Sequence, residues 1–202
     1  MIKECNPARR SREGLRRSLA KITSAQMSLT IELVESKVMS ESTLREIRDL
    51  CAAAYAEDFS RAFELLGPGV HVIGRLEGRI VTHAMWVDRA LQVGGDVKLG
   101  AAYVEAVATD PAFQRHGFGT EVMRRLAGEV RGYDLGALSP SDERFYTRLG
   151  WEAWRGPLFI RTGAGLEATP DEGVMILRLA KTPADLDLDA PLSAEWRPGE
   201  VW

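Results

Sequence analysis

The segment Gln114-Arg115-His116-Gly117-Phe118-Gly119-Thr120 carries the residue types needed to hold an anion. It follows a strand-like run, Tyr103 to Thr109, and opens a helix-like run from Thr120 to Val130. Glycine lacks a Cβ and tolerates positive φ, so the backbone can approach a ligand closely there. The N–H groups of a helix's first turn have no partner within the helix, and the helix dipole favours negative charge at that end. Arg115, His116, Gly117, Gly119 and Thr120 are candidate phosphate contacts, with His116 as a loop donor rather than a metal ligand. A plain strand-to-helix turn with structural glycines is the competing reading. On the preceding strand, regular alternation puts Glu105 on one face with Tyr103 and Val107, and Val104, Ala106 and Ala108 on the other. A carboxylate at Glu105 can take a proton, or can be a surface group on a half-exposed strand.

The elements that must position these residues can be read from pattern. The chain has 202 residues, 45% of them apolar, which suits one globular domain. Thr30 to Val34 reads as a first strand. Thr43-Leu44-Arg45-Glu46 reads as a capping box, and Leu44, Ile47, Cys51, Ala54 and Tyr55 then recur at helical spacing. Val70–Leu76 and Ile80–Val87 flank Glu77-Gly78, and Leu91–Val93 and Val97–Glu105 flank Gly94-Gly95-Asp96, which predicts two hairpins ahead of the glycine loop. After it come a strand over Tyr133–Leu138 and a helix over Ser141–Leu149 stopped by Gly150. Further strands are expected at Trp151–Trp154, Leu158–Arg161 and Val174–Leu179. The acidic tail from Pro183 to Trp202 is expected to pack back on the domain. Trp86, Trp151, Trp154 and Trp196 read as core residues.

Composition narrows the function classes. Residues 1–28 carry seven Lys or Arg against Glu4 and Glu13, a net +5, while the whole chain is −3. The remaining body is therefore −8, which suits a cationic small substrate better than nucleic acid. No run of about 18 apolar residues occurs, so no membrane-spanning helix is expected. The N-terminal segment has no apolar stretch of the secretory kind; a short helix from Arg12 to Ile22 is conceivable within it. Cys5 and Cys51 are far apart, so a reducing cytoplasm is the simpler reading. With His71, His83 and His116 they form no metal-ligand spacing, and no zinc is expected.

The pattern Gln-x-x-Gly-x-Gly, placed between strand and helix, resembles the coenzyme A pyrophosphate loop of the GNAT superfamily of acetyltransferases. Five separated motifs sharpen that resemblance: Asp58-Phe59 before His71; Tyr103-Val104-Glu105-Ala106-Val107; Leu135-Gly136-Ala137-Leu138-Ser139; Tyr146-x-x-x-Gly150-Trp151-x-x-Trp154-x-Gly156; and Trp196-Arg197-x-Gly199-x-Val201-Trp202. Together they resemble the aminoglycoside 2′-N-acetyltransferases, from about residue 30 onward. The resemblance implies an α/β (α+β) GNAT fold, a mixed and mostly antiparallel sheet flanked by helices. It divides the chain into a basic extension, 1–28, and one acetyltransferase domain, 29–202.

The resemblance also implies a chemistry. Acetyl-CoA is the expected co-substrate, with Val107, Ala108, Thr109, Gln114, Arg115, His116, Gly117, Phe118, Gly119 and Thr120 around it. The Val107 amide is expected to bind the thioester oxygen. An amine with a pKa near 10 is only about 0.1% neutral at pH 7, so a base is needed. Glu105, acting through water, is the candidate base and also a substrate contact. Tyr146, near the coenzyme sulfur, is the candidate acid. Ser139, Asp58, Asp171, Glu172 and the α-carboxylate of Trp202 are candidate substrate contacts, and no covalent cysteine intermediate is expected.

Two departures bear on the substrate. The family has a second acidic contact shortly after Asp58, where this chain reads Ser60-Arg61-Ala62-Phe63-Glu64. The loop between Ser139 and Tyr146 is also about two residues short. Both point away from gentamicin and tobramycin and toward kasugamycin, a smaller aminoglycoside that a branch of the family takes. Acetylation of a protein or peptide amine, and a non-catalytic acetyl-CoA or antibiotic binder, stand as alternatives. A homodimer is a further expectation from the superfamily.

Overall fold

The computed structural model describes residues 28–199 and 201–202. The expected N-terminal extension, with its conceivable helix, lies outside the described residues apart from Ser28. Among the described residues ten strands form one sheet: β1 (Thr30–Glu35), β2 (Val70–Leu76), β3 (Arg79–Val93), β4 (Val97–Thr109), β5 (Leu135–Leu138), β6 (Glu152–Ala153), β7 (Leu158–Thr162), β8 (Gly165–Ala168), β9 (Met175–Arg178) and β10 (Leu192–Glu195). The helices are α1 (Glu41–Tyr55), α2 (Ala62–Leu66), α3 (Phe118–Glu129) and α4 (Glu143–Thr147). The long central pair β3–β4 organises the rest. On one side β4 is followed by β5, β9 and β6. On the other, β3 carries β2 and β1 along its first half, and β10, β7 and β8 along its second. Among the described residues only β4–β5 and β10–β7 are parallel. The expected mixed, mostly antiparallel sheet is what the chain forms.

Alternation in the central strands builds a core on each face. Ala101 and Tyr103 join α1, through Ile47, Leu50 and Cys51, in one cluster. Ala102, Val104 and Trp86 join α3, through Val122, Met123 and Leu126, in the other. Both expected hairpins form. At the first turn Glu77 and Gly78 have φ 50 and 84, the left-handed pair that matches strand twist.

Three expectations are corrected. The cap of α1 is Ser40, whose hydroxyl accepts from Thr43 N at 3.1 Å, so the helix starts at Glu41 and Thr43 lies within its first turn. Strand β3 does not break between Val87 and Leu91; Asp88, Arg89 and Ala90 continue the ladder with Ala102, Ala101 and Gly100. The helix expected over Ser141–Leu149 contracts to Glu143–Thr147, because the Asp142 side chain accepts from Arg144 N at 3.0 Å and caps it there. Gly150, at φ 88, ends that turn as expected. Among the described residues no helix is long and apolar enough to cross a membrane.

Arg89 explains how the tail is held. Its side chain is 3% exposed. It donates to Glu195 Oε1 at 2.7 Å, to the Glu195 carbonyl at 2.9 Å and to the Val201 carbonyl at 2.7 Å. The tail thus becomes β10, inserted between β3 and β7, and then turns back over the sheet. Arg89→Met keeps the volume and removes these bonds. It should lower unfolding free energy by about 3 kcal/mol in urea titrations, and an unchanged midpoint would show that the tail is held by other means.

Candidate active site

Strands β4 and β5 part after three paired residues. Their parallel ladder covers Ala101–Tyr103 against Leu135–Ala137 and goes no further. From Val104 to Val107 the β5-facing edge of β4 borders a cleft of about 530 Å³. Tyr55 and Glu57 at the end of α1, and Leu65 of α2, form one wall. Ser139 and Tyr146 form the opposite wall, and Arg197, Gly199 and Trp202 of the tail close a third.

Strand β4 is bulged where it meets the cleft. Met85 pairs with Glu105 and His83 with Ala108, so Ala106 and Val107 together oppose Ala84. Ala106 has φ 50, a left-handed conformation that costs a residue with a Cβ about 1–2 kcal/mol. Hydrogen bonds offset that cost. His83 Nδ1 donates to the Ala106 carbonyl at 2.8 Å, the Tyr55 hydroxyl to the Val107 carbonyl at 2.9 Å, and the Thr82 hydroxyl to the Ala108 carbonyl at 3.0 Å. The extra residue shifts the alternation by one. Ala106 and Ala108 therefore fall with Tyr103, and Val107 with Val104. The regular alternation expected for this strand is corrected accordingly.

Glu105 forms an ion pair with Arg197 of the tail, and the two side chains are 15% and 11% exposed. The Arg197 guanidinium also lies 5.8 Å from the Tyr103 ring centroid, and that of Arg89 5.1 Å. Across the cleft, Tyr146 is buried edge-on against Phe145 and Trp151, with centroids 5.0 and 6.1 Å away. Burial, and then the Asp142 carboxylate, push its phenol up to about 12, so it keeps its proton at neutral pH. Cys51 is buried within α1, and burial pushes its thiol up to about 12, far from a thiolate nucleophile. Trp202 is buried and donates its indole N–H to the Thr169 hydroxyl at 2.8 Å.

The glycine loop sits beyond the far end of β4. Arg115 and Gly117 take positive φ, 64 and 89. His116 Nδ1 donates to the Gln114 carbonyl at 2.9 Å, and the Gln114 amide to the Thr109 carbonyl at 3.3 Å. Helix α3, twelve residues long, begins at Phe118 directly after Gly117. A Cβ on Gly119 would meet the Thr109 hydroxyl at 3.2 Å and the Phe145 ring at 3.7 Å, so glycine permits the close approach of helix and strand. Backbone N–H groups without an intrahelical partner at the start of a twelve-residue helix, beside a basic and polar loop, fit a phosphate group.

Residues 35–154 match the family model of the acetyltransferase (GNAT) domain. An aminoglycoside 2′-N-acetyltransferase from Mycolicibacterium fortuitum is 36% identical over 181 residues, which cover 86% of this chain and 92% of that protein. The chain belongs to the aminoglycoside 2′-N-acetyltransferase family of the GNAT acyltransferases. Solved structures agree on the fold. A GNAT family acetyltransferase from Brucella melitensis in complex with acetyl-CoA matches with TM-score 0.53 at 18% identity, over 80% of this chain and 95% of that one. The ribosomal-protein-S18-alanine N-acetyltransferase from Escherichia coli matches with TM-score 0.53 at 18% identity, over 79% and 99%. Others are much longer: the chain spans 32% of Eis1 from Mycobacterium abscessus, with TM-score 0.54 at 18% identity over 64% of this chain.

Of the residues singled out in this acetyltransferase sequence, Glu105, Val107, Ser139, Tyr146, Glu172 and Trp202 line the cleft. Asp58 and Asp171 do not. Asp58 accepts from Ser60 N at 2.8 Å and from the Ser60 hydroxyl at 3.1 Å, and these bonds hold its carboxyl below the usual range. Its neighbour Glu57 faces the cleft instead. Arg61 lies 4.0 Å from Glu64, and Phe63 turns inward against His71 and His83, so neither occupies the cleft wall. Trp196, expected in the core, is 60% exposed. It follows the last β10 residue, and Val201 and Trp202 fill the core at that end. Sequence reasoning missed Tyr55, Glu57, the pairing of Arg197 with Glu105, and the two buried histidines. Their spacings to the motif carry no local signal.

His71 and His83 are buried neighbours, with Nδ1 of the first 2.9 Å from Nε2 of the second. Burial pushes His71 down to about 4. Burial, and then the His71 charge, push His83 down to about 3, against the opposing pull of its bond to Ala106. Both are therefore neutral when folded, whereas unfolded histidine takes its proton near pH 6.5. Their contribution is complete above that value and is lost as pH falls toward the folded values. Between about pH 6.5 and about pH 5, before most carboxylates titrate, stability should drop by up to roughly 1.4 kcal/mol per pH unit for each histidine. Replacing both by Asn should flatten that slope in urea titrations; an unaltered slope would assign the acid sensitivity to other groups.

Proposed function

We propose that the protein transfers the acetyl group of acetyl-CoA to the 2′-amino group of an aminoglycoside and so confers antibiotic resistance. The observation that carries this reading is the meeting of Glu105, Val107 and Tyr146 at one cleft where β4 and β5 part. The family relationship supplies the substrate class. Acetyl-CoA would lie with its pyrophosphate on the loop Gln114–Thr120 and its thioester beside Val107.

In this reading a substrate ammonium gives a proton to Glu105 through water, and the amine nitrogen attacks the thioester carbonyl. A C–N bond forms, the C–S bond breaks, the departing thiolate takes the Tyr146 hydroxyl proton, and the second proton that the nitrogen sheds on becoming an amide returns to the Tyr146 oxygen. The cleft wall carries Glu57, Glu105 and Glu172 against Arg197, a net negative lining that attracts a cation. Phe59, Ala62, Leu65 and Leu66 make the α1–α2 side apolar. That side offers few acids to a large polyamine, which favours a smaller aminoglycoside such as kasugamycin over gentamicin or tobramycin. Steady-state kinetics with the three antibiotics test the reading. Kasugamycin should show the highest kcat/KM, and a preference for gentamicin would overturn the substrate inference.

Two substitutions test the parts. Tyr146→Phe removes only a proton donor, so kcat should fall about 10²-fold with acetyl-CoA affinity held in calorimetry. Gly119→Asp places bulk against Thr109 and a negative charge beside the phosphate site. Acetyl-CoA affinity should weaken by on the order of a few kcal/mol; a folded variant that binds as the wild type does would remove the loop from the site.

A further inference from the structure

The bulge peptide between Ala106 and Val107 has two ends, and a chain of side chains running inward from half-buried Ser36 holds one of them. His83 Nδ1 lies 2.8 Å from the Ala106 carbonyl oxygen, which can only accept, so the proton sits on Nδ1. His83 Nε2 must then accept, and it lies 2.9 Å from His71 Nδ1, which therefore carries its own proton. His71 Nε2 in turn accepts from the Ser36 hydroxyl at 3.0 Å. That hydroxyl has a second acceptor, the Gly69 carbonyl at 3.0 Å, but Ser36 N already serves it at 2.9 Å. Gly69 N donates to the Ser36 hydroxyl at 3.0 Å. Every donor in the chain points toward the bulge.

A trans peptide is planar, with its N–H directed opposite to its C=O, and the described residues contain no cis bond. Fixing the Ala106 carbonyl toward His83 on β3 therefore aims the Val107 N–H away from β3, toward the edge of β4 that borders the cleft. The Tyr55 hydroxyl holds the next carbonyl, Val107, at 2.9 Å. Hydrogen bonding at a carbonyl also polarises the amide and strengthens the N–H at its other end.

We infer that His83, oriented by His71 and Ser36, is a positioning residue that aims and strengthens the Val107 N–H as the donor to the thioester oxygen. The inference rests on the acetyl-transfer reading above. It gives the left-handed Ala106 a purpose beyond geometry, because the bulge turns one amide out of the ladder and the histidine pair sets its direction. It also accounts for the residue type: a neutral imidazole accepts on one nitrogen and donates on the other, so it relays orientation through the core without a buried charge.

The test compares acetyl-CoA with coenzyme A, which lacks the thioester carbonyl, and follows the Val107 amide in ¹H–¹⁵N spectra. In the wild type the two ligands should leave Val107 at different proton shifts, with acetyl-CoA downfield. His83→Asn keeps a donor near the Nδ1 position and should preserve most of that difference. His83→Gln carries the same amide to the Nε2 position; it should lose most of the difference and lower kcat about tenfold, with KM for acetyl-CoA within twofold. A merely structural role would move stability and KM in both variants alike, and equal behaviour of Asn and Gln would overturn the inference. Imidazole ¹⁵N spectra of the wild type should find the proton on Nδ1 of both His71 and His83. A proton on His83 Nε2 would overturn the inference without any variant. A wild-type Val107 amide that ignores acetyl-CoA would overturn the reading of the cleft along with it; a responding wild type matched by His83→Gln would overturn only the inference.

Discussion

The end of the β4–β5 ladder at Tyr103 and Ala137 is the constraint on which the rest of the structure depends. A strand edge presents an N–H and a C=O at alternating positions, and each needs a partner. Where β5 leaves, the edge of β4 from Val104 to Val107 borders the cleft with its backbone. The sequence manages this with local partners. Tyr55 reaches from α1 and His83 from β3, each to a carbonyl, and Thr82 secures the next one along. The bulge is therefore held by its carbonyls. Strain at Ala106 persists because the surroundings over-determine it.

The tail completes what the parted strands begin. Inserted as β10, it runs parallel to β7 and antiparallel to β3, so its path is fixed by hydrogen bonds on both sides. Arg89 then holds Val201 and Glu195 from below. This places Arg197 against Glu105 and Trp202 on the cleft wall. A long side chain on a tethered segment thus delivers a positive charge to a site whose other charged side chains are carboxylates. A carboxylate as enclosed as Glu105 needs a compensating cation. Arg197 supplies one from the protein itself, and in the proposed reaction a substrate ammonium would arrive beside a carboxylate that is already oriented.

Much of this was legible in the sequence because it is local. Glu77-Gly78 demanded a left-handed turn and formed one; Gly117 and Gly119 marked the junction of strand, loop and helix; Gly150 ended α4 as its position implied. What escaped was non-local or required counting residues across a sheet. No periodicity in β4 reveals that Ala106 is an extra residue, since a bulge is defined by its partner strand, and the alternation assigned to Val107 failed for that reason. Arg89 falls in the gap between the strands expected at Ile80–Val87 and Leu91–Val93; only the tail, over a hundred positions away, explains its burial. Arg197 was visible within a motif, yet its partner lies 92 residues earlier. Asp58 is singled out through the Asp58-Phe59 motif; its carboxylate accepts from Ser60 two residues on, while Glu57 lines the cleft.

The division of labour between charged and neutral groups follows from where each lies. Groups that would meet the substrate are ionic and partly exposed: Glu57, Glu105, Glu172 and Arg197 all line the cleft. Groups that hold the strand from behind are neutral and buried: Thr82, His71 and His83. A charge behind the bulge would polarise the peptide more strongly, but its desolvation would cost several kcal/mol. The low folded values of both histidines show how strongly this interior opposes a proton there. A neutral chain ending in a hydroxyl avoids that cost and still has a direction, because the Ala106 carbonyl can only accept and every proton behind it must point the same way. Direction, rather than charge, is what the core of this protein can supply to the cleft without losing stability near neutral pH.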